Sequence, residues 1–538
     1  MEHDLSRGNS EIRLVFLGGV GEIGMNCLAI ETPKGIAVVD CGVMFTPGRY
    51  FGPDLEIPDL RYFRANRDRI AGVVVTHGHE DHIGAIPVVF GGLKVPIYAP
   101  PFAEALLREK ALEYQAHGPI KTTRVAPGDV VEIAGLTFEF YRVTHSIPDA
   151  LGLIIRTPSG IIVHTGDFRL DTKPSLGQPF DVDRLKALGE EGVLLLLSDS
   201  TNVERAGRTE PEDWVGAGVQ KLVSNHDGRV IISMFSSNIE RIRQFAEVAK
   251  KTGRRLGIIG RSLYSYTRAA LETGYGPFDP NSLVDPYFAD EMPGEDLLLL
   301  ISGSQGEPRS ALTRAAFADH KDVTIREGDL VIYSSRIIPG NEREIMRVSN
   351  GLVRQGAQVV HERTAQVHTS GHARRDELVD VLKWVKPKYF IPVHGEYRYL
   401  TAHAKLAKET VGAIPVIADR GSIIQVKGGK VEHVDTLELE PFYIEGPVVG
   451  NTEELKLSER RRLLFNGLVS VTGEVKRNRK WIEFIPQVDL FGVPDLDGAL
   501  KQGILAGLKH QFANRARSLS TATIEDEVRT TVRRIVQR

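Results

Sequence analysis

Cysteine is nearly absent from this chain of 538 residues, with only Cys27 and Cys41 present. Neither has a partner at CxxC spacing, which excludes a cysteine zinc site and a disulfide framework. The expectation is two reduced, buried thiols in a chain long enough to bury its cores without covalent staples. Long apolar runs are also missing. A run such as residues 193–197, which none exceeds, falls far short of the roughly 20 residues that a membrane helix needs. The first sixteen residues, MEHDLSRGNSEIRLVF, are polar and of mixed charge, without the apolar stretch of a signal peptide. A cytoplasmic protein with no membrane partner is expected. There is little excess charge of either sign. A net charge of −3 argues against a uniformly basic nucleic-acid binder and leaves room for a local basic channel. What remains, 42% hydrophobic and 25% charged residues, is the composition of an ordinary soluble globular protein.

The length suggests two to four domains. Up to about residue 200 the pattern is of short Val/Ile/Leu-rich strands, at 12–17, 27–31, 35–39, 73–76, 97–99, 138–142, 153–157, 161–165 and 193–198, several ending on Asp or His. A helix is expected over 101–114. Strands at 230–234, 255–259, 297–301 and 330–333 then alternate with amphipathic segments such as 239–252, which predicts a second α/β domain with a parallel sheet over about 211–350. Strand–helix alternation resumes through 376–385, 389–392 and 398–411. Gly446-Pro447 and Gly450-Asn451 read as a linker. The last 80 or so residues contain runs of Arg and Lys at 460–462, 476–480 and 533–538, and carry about seven more basic than acidic side chains. That face is either solvated or a contact for RNA or another subunit.

One motif misleads. Gly19-Val20-Gly21-Glu22-Ile23-Gly24 fits a dinucleotide fingerprint, but that fingerprint needs a helix next. Residues 25–31 alternate like a strand, so the glycines are assigned to a tight turn.

Sixteen histidines are present, and the informative ones follow strands. In Thr76-His77-Gly78-His79-Glu80-Asp81-His82, alternate side chains of an extended loop project together, so His77 and His79 can share one metal. Asp81 and His82 begin the next turn and face a second. Imidazoles and a carboxylate suit zinc. One loop cannot fill two coordination shells, and His145, Asp167 and His394 stand at other strand ends. The simplest grouping gives His77, His79 and His145 to one zinc and Asp81, His82 and His394 to the other, with Asp167 bridging. His164, three residues from Asp167 on a strand, faces elsewhere and is left out. Asp40 is expected to orient a ligand histidine through its second N–H. Two such ions about 3.5–4 Å apart activate water at neutral pH and clamp a phosphoryl oxygen.

The order H-x-H-x-D-H, lone His, Gly-Asp and distant His resembles the metallo-β-lactamase superfamily. Ser198-Asp199-Ser200-Thr201-Asn202, His368-Thr369-Ser370-Gly371-His372-Ala373 and Pro392-Val393-His394-Gly395-Glu396 resemble motifs A, B and C of its β-CASP nucleases. Residues 17–24, Gly303-Ser304-Gln305-Gly306-Glu307-Pro308 and Pro339-Gly340-Asn341-Glu342 resemble the bacterial ribonuclease J family, and the likeness runs from about residue 11 to 440.

The resemblance implies an α/β fold: a metallo-β-lactamase αββα sandwich with an inserted β-CASP α/β domain and a small C-terminal α+β domain. The expected boundaries are 1–210 and 351–445 for the two parts of the sandwich, 211–350 for the insert, 446–460 for a linker and 461–538 for the C-terminal domain. It implies the same seven metal ligands, an acid/base pair in Asp199 and His372, and a substrate-phosphate loop of His368, Thr369, Ser370, Gly371 and His372. A second phosphate contact is implied at Ser236, Ser237 and Asn238, which precede a helix, a natural seat for an anion. Ser334 and Ser335 offer a further contact to an RNA backbone, and Thr369 and Arg336 stand where small or apolar residues would be expected in relatives. The implied activity is 5′-to-3′ exonucleolytic and endonucleolytic cleavage of single-stranded RNA, preferably with a 5′-monophosphate, in RNA maturation and mRNA decay. Two Zn2+ ions per subunit, with Mn2+ or Mg2+ as alternative activators, and a homodimer or homotetramer complete the expectation. A thioester or lactam hydrolase, a DNA repair nuclease and a non-catalytic RNA scaffold are the competing readings.

Overall fold

A computed structural model describes residues 11–46, 52–114, 117–338, 340–477, 481–513, 515–516 and 519–537. Pro339 of the Pro-Gly-Asn-Glu motif, Asn478, Arg479 and Lys480 of the basic run, Arg538 and the first ten residues of the polar N-terminus lie outside them. The chain divides into two compact units, one of residues 1–45 and 55–442, the other of 46–54 and 443–538.

Two sheets dominate the larger unit. In the first, Lys430–Thr436, Ser422–Lys427, Ile12–Gly18, Cys27–Thr32, Gly35–Val39, Ile70–Val74, Pro96–Ala99 and Lys121–Arg124 lie side by side. In the second the order is Ile414–Pro415, Tyr389–Val393, Val193–Asp199, Gly160–His164, Leu151–Thr157, Leu136–Arg142 and Val130–Ile133. The period of two along a strand sorts the side chains. Leu153, Ile155, Ile162, Leu195, Leu197 and Ile391 point between the sheets and pack with Ile12, Leu14, Phe16 and Val39 of the first. Their neighbours Ile154, Val163, Leu196 and Phe390 point outward, onto Leu185 and Leu188 of the helix Val182–Glu191 and Leu378, Val381 and Leu382 of Arg375–Val385. Because these strands are buried on both faces, they read as continuous apolar runs.

A third sheet, entirely parallel, joins Arg255–Ile259, Leu297–Ile301, Val230–Met234, Leu330–Ser334 and Gln358–His361. The smaller unit pairs Leu468–Arg477 with Trp481–Phe491 and packs helices Ala499–Phe512 and Thr521–Val536 through Ile504, Leu508, Phe512 and Ile524. Residues 446–460 depart from the linker reading, since they carry the strand Val448–Asn451 and open the helix Leu457–Asn466. Gly446 and Pro447 form the tight turn between Phe442–Glu445 and Val448–Asn451, and Gly450 and Asn451 belong to the second of these strands. The strand Cys27–Thr32 follows Gly24 without a helix, and Gly19, Gly21 and Gly24 all have positive φ, as a turn requires. Cys27 and Cys41 are free and buried. No helix among the described residues is long and apolar enough to cross a membrane.

Candidate metal centre

Strand direction places the site. Gly160–His164, Val193–Asp199 and Tyr389–Val393 are parallel, so Asp167, Asp199 and His394 leave the sheet at one edge. Two antiparallel steps return Leu136–Arg142 to the same direction, which brings His145 there as well. In the other sheet Gly35–Val39 and Ile70–Val74 are parallel and end at Asp40 and the loop of His77 and His79. Carboxyl ends of parallel strands are where α/β folds gather function.

The side chains converge in two sets. His77 Nε2 lies 3.0 Å from His79 Nδ1, and His145 Nε2 lies 3.2 Å from the same atom. Three nitrogens bound at 2.0–2.1 Å to one tetrahedral ion would be roughly 3.3 Å apart. Burial, first, and the neighbouring histidines hold His77 and His145 well below the usual imidazole range. Burial likewise lowers His79, to about 4. All three are therefore held neutral at physiological pH, the form in which an imidazole can bind a metal. In the second set His82 Nε2 is 3.2 Å from Asp167 Oδ2 and 3.7 Å from Asp81 Oδ2, and His394 Nε2 is 3.7 Å from Asp81 Oδ2. His394 Nδ1 sits 3.0 Å from Asp167 Oδ1, yet it is buried and out of line for a hydrogen bond. Burial opposes charge on His82 and His394, but the surrounding carboxylates outweigh it, raising His82 well above its ordinary value and His394 to about 9. This half of the site attracts positive charge, as a cation-binding donor set does. Asp167 Oδ2 also lies 3.9 Å from both His77 Nε2 and His145 Nε2, between the sets. The donors fit metal, and each set holds its ligand atoms within 4.8 Å.

Supporting contacts fix the rings. Asp40 Oδ2 accepts from His82 Nδ1 at 2.8 Å, and both its oxygens accept from Thr76, at 2.8 Å from the backbone N–H and 2.7 Å from the hydroxyl. Asn26, which sequence reasoning missed, places Nδ2 3.0 Å from His82 Nε2 and also donates to the Asp81 carbonyl at 3.1 Å. No local pattern marks it. His164 is buried and its Nδ1 accepts from the Gly166 N–H at 2.9 Å, outside both ligand sets.

His372 stands at the rim. Its Nδ1 is 2.8 Å from Asp199 Oδ2 and 4.0 Å from Asp167 Oδ2. It is also close enough to His145 and Asp167 to form a third possible ligand group, a proximity the spacing did not suggest. Burial lowers its basicity, but Asp199 more than compensates and raises it. Asp199 is in turn anchored by the Thr201 N–H at 2.9 Å and hydroxyl at 2.7 Å. The Gly371 carbonyl accepts from His145 Nδ1 at 2.6 Å, and the close approach suits glycine, since a Cβ there would meet Ser146 Oγ at 2.6 Å and His145 Cε1 at 2.8 Å.

Several residues expected to face substrate are occupied otherwise. Asn238 is buried, caps the helix Ile239–Lys251 through the Arg241 N–H at 3.0 Å, and donates to Glu212 at 3.2 Å. Its polar groups are thus spent inside the protein, while Ser236 and Ser237 stay partly exposed, with Ser236 Oγ 2.9 Å from Ser262 Oγ. Thr369 is buried and donates to the Glu210 carbonyl at 2.7 Å. Ser334 and Ser335 are buried as well, and Ser334 donates to the Val367 carbonyl at 2.7 Å. His368 and Ser370 remain partly open. Ser370 Oγ accepts from Asn202 Nδ2 at 2.9 Å, and Asn202 Oδ1 accepts from Arg336 at 3.0 Å.

The sequence matches three family models. Residues 20–191 match the metallo-beta-lactamase superfamily, 227–352 the beta-CASP domain of ribonuclease J, and 357–418 the Zn-dependent metallo-hydrolase RNA specificity domain. It is 36% identical to a ribonuclease J of Sinorhizobium meliloti, over 99% of this chain and 95% of that one. It is 36% identical to ribonuclease J2 of Bacillus subtilis, over 90% and 88% of the two chains. A ribonuclease J of Mycobacterium tuberculosis is also 36% identical, over 96% and 92%. A solved structure of a protein of unknown function from Enterococcus faecalis superposes with a TM-score of 0.55 at 16% identity, covering 77% of this chain and all of its own, a likeness of fold alone.

Proposed function

Since the chain belongs to the ribonuclease J family of RNA-hydrolysing enzymes, we propose that it cleaves single-stranded RNA with two zinc ions, both within the chain and stepwise from a 5′-monophosphate end. The observation that carries this reading is the convergence of two ligand sets on Asp167, with the His372–Asp199 pair at their rim. His77, His79 and His145 would hold one ion, and Asp81, His82 and His394 the other, with Asp167 between them. When bound, the pair supplies a water activated at neutral pH and stabilises charge on the phosphoryl oxygens.

The remaining steps belong to side chains. His372 Nδ1 is engaged by Asp199, so Nε2 is the nitrogen left for substrate. Held protonated by that carboxylate, it gives its proton to the 3′ oxygen as the P–O bond breaks. One product ends in a 3′-hydroxyl and the other keeps the water-derived oxygen on a 5′-phosphate. His368 and Ser370 would grip the 5′-phosphate of the substrate. Residues 1–210 and 351–445 would form the catalytic sandwich, with 211–350 closing over RNA. A homodimer or homotetramer acting in RNA maturation and mRNA decay in the cytoplasm follows the same reading.

The test uses one RNA sequence with a 5′-monophosphate or a 5′-triphosphate. His372→Ala should slow cleavage about 10²–10⁴-fold while two zinc equivalents remain by elemental analysis. Wild-type turnover with normal zinc would refute the assigned role. Products bearing a 3′-phosphate would refute the chemistry, and equal rates on the two RNAs would refute the 5′-end preference.

A further inference from the structure

Behind the loop of residues 368–372 lies a buried charge network that the chemistry above does not use. Arg241 is 1% exposed and spends all five of its N–H donors. Nε and one terminal nitrogen hold Glu212 at 3.0 and 2.9 Å. That nitrogen also donates to the Thr369 carbonyl at 2.8 Å. The other donates to the Ser334 carbonyl at 3.1 Å and to His368 Nδ1 at 2.8 Å. Glu212, 1% exposed, is further held by Arg169 at 3.1 Å and Asn238 at 3.2 Å. Arg169 in turn reaches the Ser370 carbonyl at 3.4 Å.

A guanidinium cannot give up its proton. The nitrogen it faces on His368 must therefore be an acceptor, which leaves the ring proton on Nε2. We propose that Arg241 is a positioning residue for a 5′-terminal phosphate: it locks His368 as a neutral, single-tautomer Nε2–H donor and fixes the adjoining backbone through Thr369. Glu212 neutralises Arg241, so the lock adds no net charge. Burial and then Arg241 hold His368 well below the usual imidazole range, aided by Arg336 and Arg205 and opposed by Glu212. His368 then binds phosphate equally well across neutral pH, where a free histidine would bind better as pH falls. The inference rests on the reading of residues 368–372 as a phosphate loop.

The probe is a phosphorothioate-linked oligoribonucleotide, slow to be cleaved, carrying a 5′-phosphate or a 5′-hydroxyl. The quantity read is the ratio of the two Kd values on the full-length protein at pH 8 and pH 6. The double variant Arg241→Met/Glu212→Gln removes both charges together, so neither is left unpaired. Its 5′-phosphate preference should fall about tenfold at pH 8, the size of one lost hydrogen bond to a charged group. It should recover in part at pH 6, as His368 becomes able to take a second proton. The phosphate's own titration is common to both proteins. A merely structural role would weaken both ligands alike and leave the ratio and its pH dependence unchanged, which would overturn the proposal. Arg241→Lys, which cannot make the five-fold fork, should behave like the double variant. Should these variants fail to fold, 15N spectra of histidine-labelled wild type, with His368 assigned by His368→Gln, must show a proton on Nε2 and none on Nδ1 from pH 6 to 8. A protonated Nδ1 would overturn the proposal as well. His368→Ala separates the two levels. If it keeps the 5′-phosphate preference, the phosphate loop itself is misassigned. If it loses the preference and the Arg241 variants do not, only the lock is wrong.

Discussion

Single side chains with no direct contact to a substrate decide how well this site is formed. Asp40 is the clearest. Its two oxygens accept three hydrogen bonds, from His82 Nδ1 and from the Thr76 N–H and hydroxyl. An amide in its place turns one acceptor into a donor that faces another donor. Asp40→Asn is therefore expected to weaken metal affinity about 10–100-fold, read as zinc retained against a competing chelator, while the circular dichroism spectrum stays unchanged. Metal retention equal to wild type would remove Asp40 from this role. The candidate ligand sets and Asp40 were legible because their residues sit at a strand end or in the loop that directly follows one. Arg241, Glu212 and Arg169 were not. On the helix Ile239–Lys251 an arginine at position 241 looks like part of a solvated face, and only tertiary pairing turns it inward. Asn238 shows the same limit from the other side, since a strand-to-helix junction suits a phosphate and an ordinary cap equally.

At the level of elements, one carboxylate ties three segments beside the site. Glu377, 1% exposed, is in the first turn of the helix Arg375–Val385. It accepts from the Leu170 N–H at 2.8 Å, the Thr209 N–H and hydroxyl at 2.7 Å, and the Arg374 N–H at 2.8 Å. Negative charge at a helix start is favoured, and reaching back to the cap N–H is half of a capping box. Glu377→Ala leaves several buried donors without a partner and should cost about 3 kcal/mol or more, seen as a lower urea midpoint. Lys386→Ala, at an exposed pair with Glu190, should leave that midpoint where it is. Strand positions were easy to read because these strands are buried on both faces. The segment 446–460 was not, because its glycines mark a turn inside structure as readily as a linker between structures.

Across the whole molecule, buried histidines couple stability to pH. Burial lowers His403 to about 3 and His164 to about 4. An unfolded histidine takes a proton below about 6.5. Between pH 6.5 and these lower values the unfolded chain binds more protons than the folded one, so stability is lost as pH falls and is fully present above 6.5. Each such group contributes about a tenfold shift in the unfolding equilibrium per pH unit in that window. His403→Leu should flatten the fall in urea midpoint between pH 6.5 and 4.5 relative to wild type, and an unchanged slope would exclude His403 as a contributor.

The ligand sets also bear on when the protein becomes active. His77 and His394 meet in one centre, yet thirteen strands of the described residues lie between them in sequence. At about 5–20 residues per second, synthesis separates the two histidines by roughly a quarter of a minute to a minute. A ribosome-bound fragment that stops short of the strand Tyr389–Val393 holds the first histidine loop without the partner that closes the second set. On the proposed ligand assignment such a fragment is an unarmed hydrolase held beside messenger RNA, its centre closing only once the strand Tyr389–Val393 is in place.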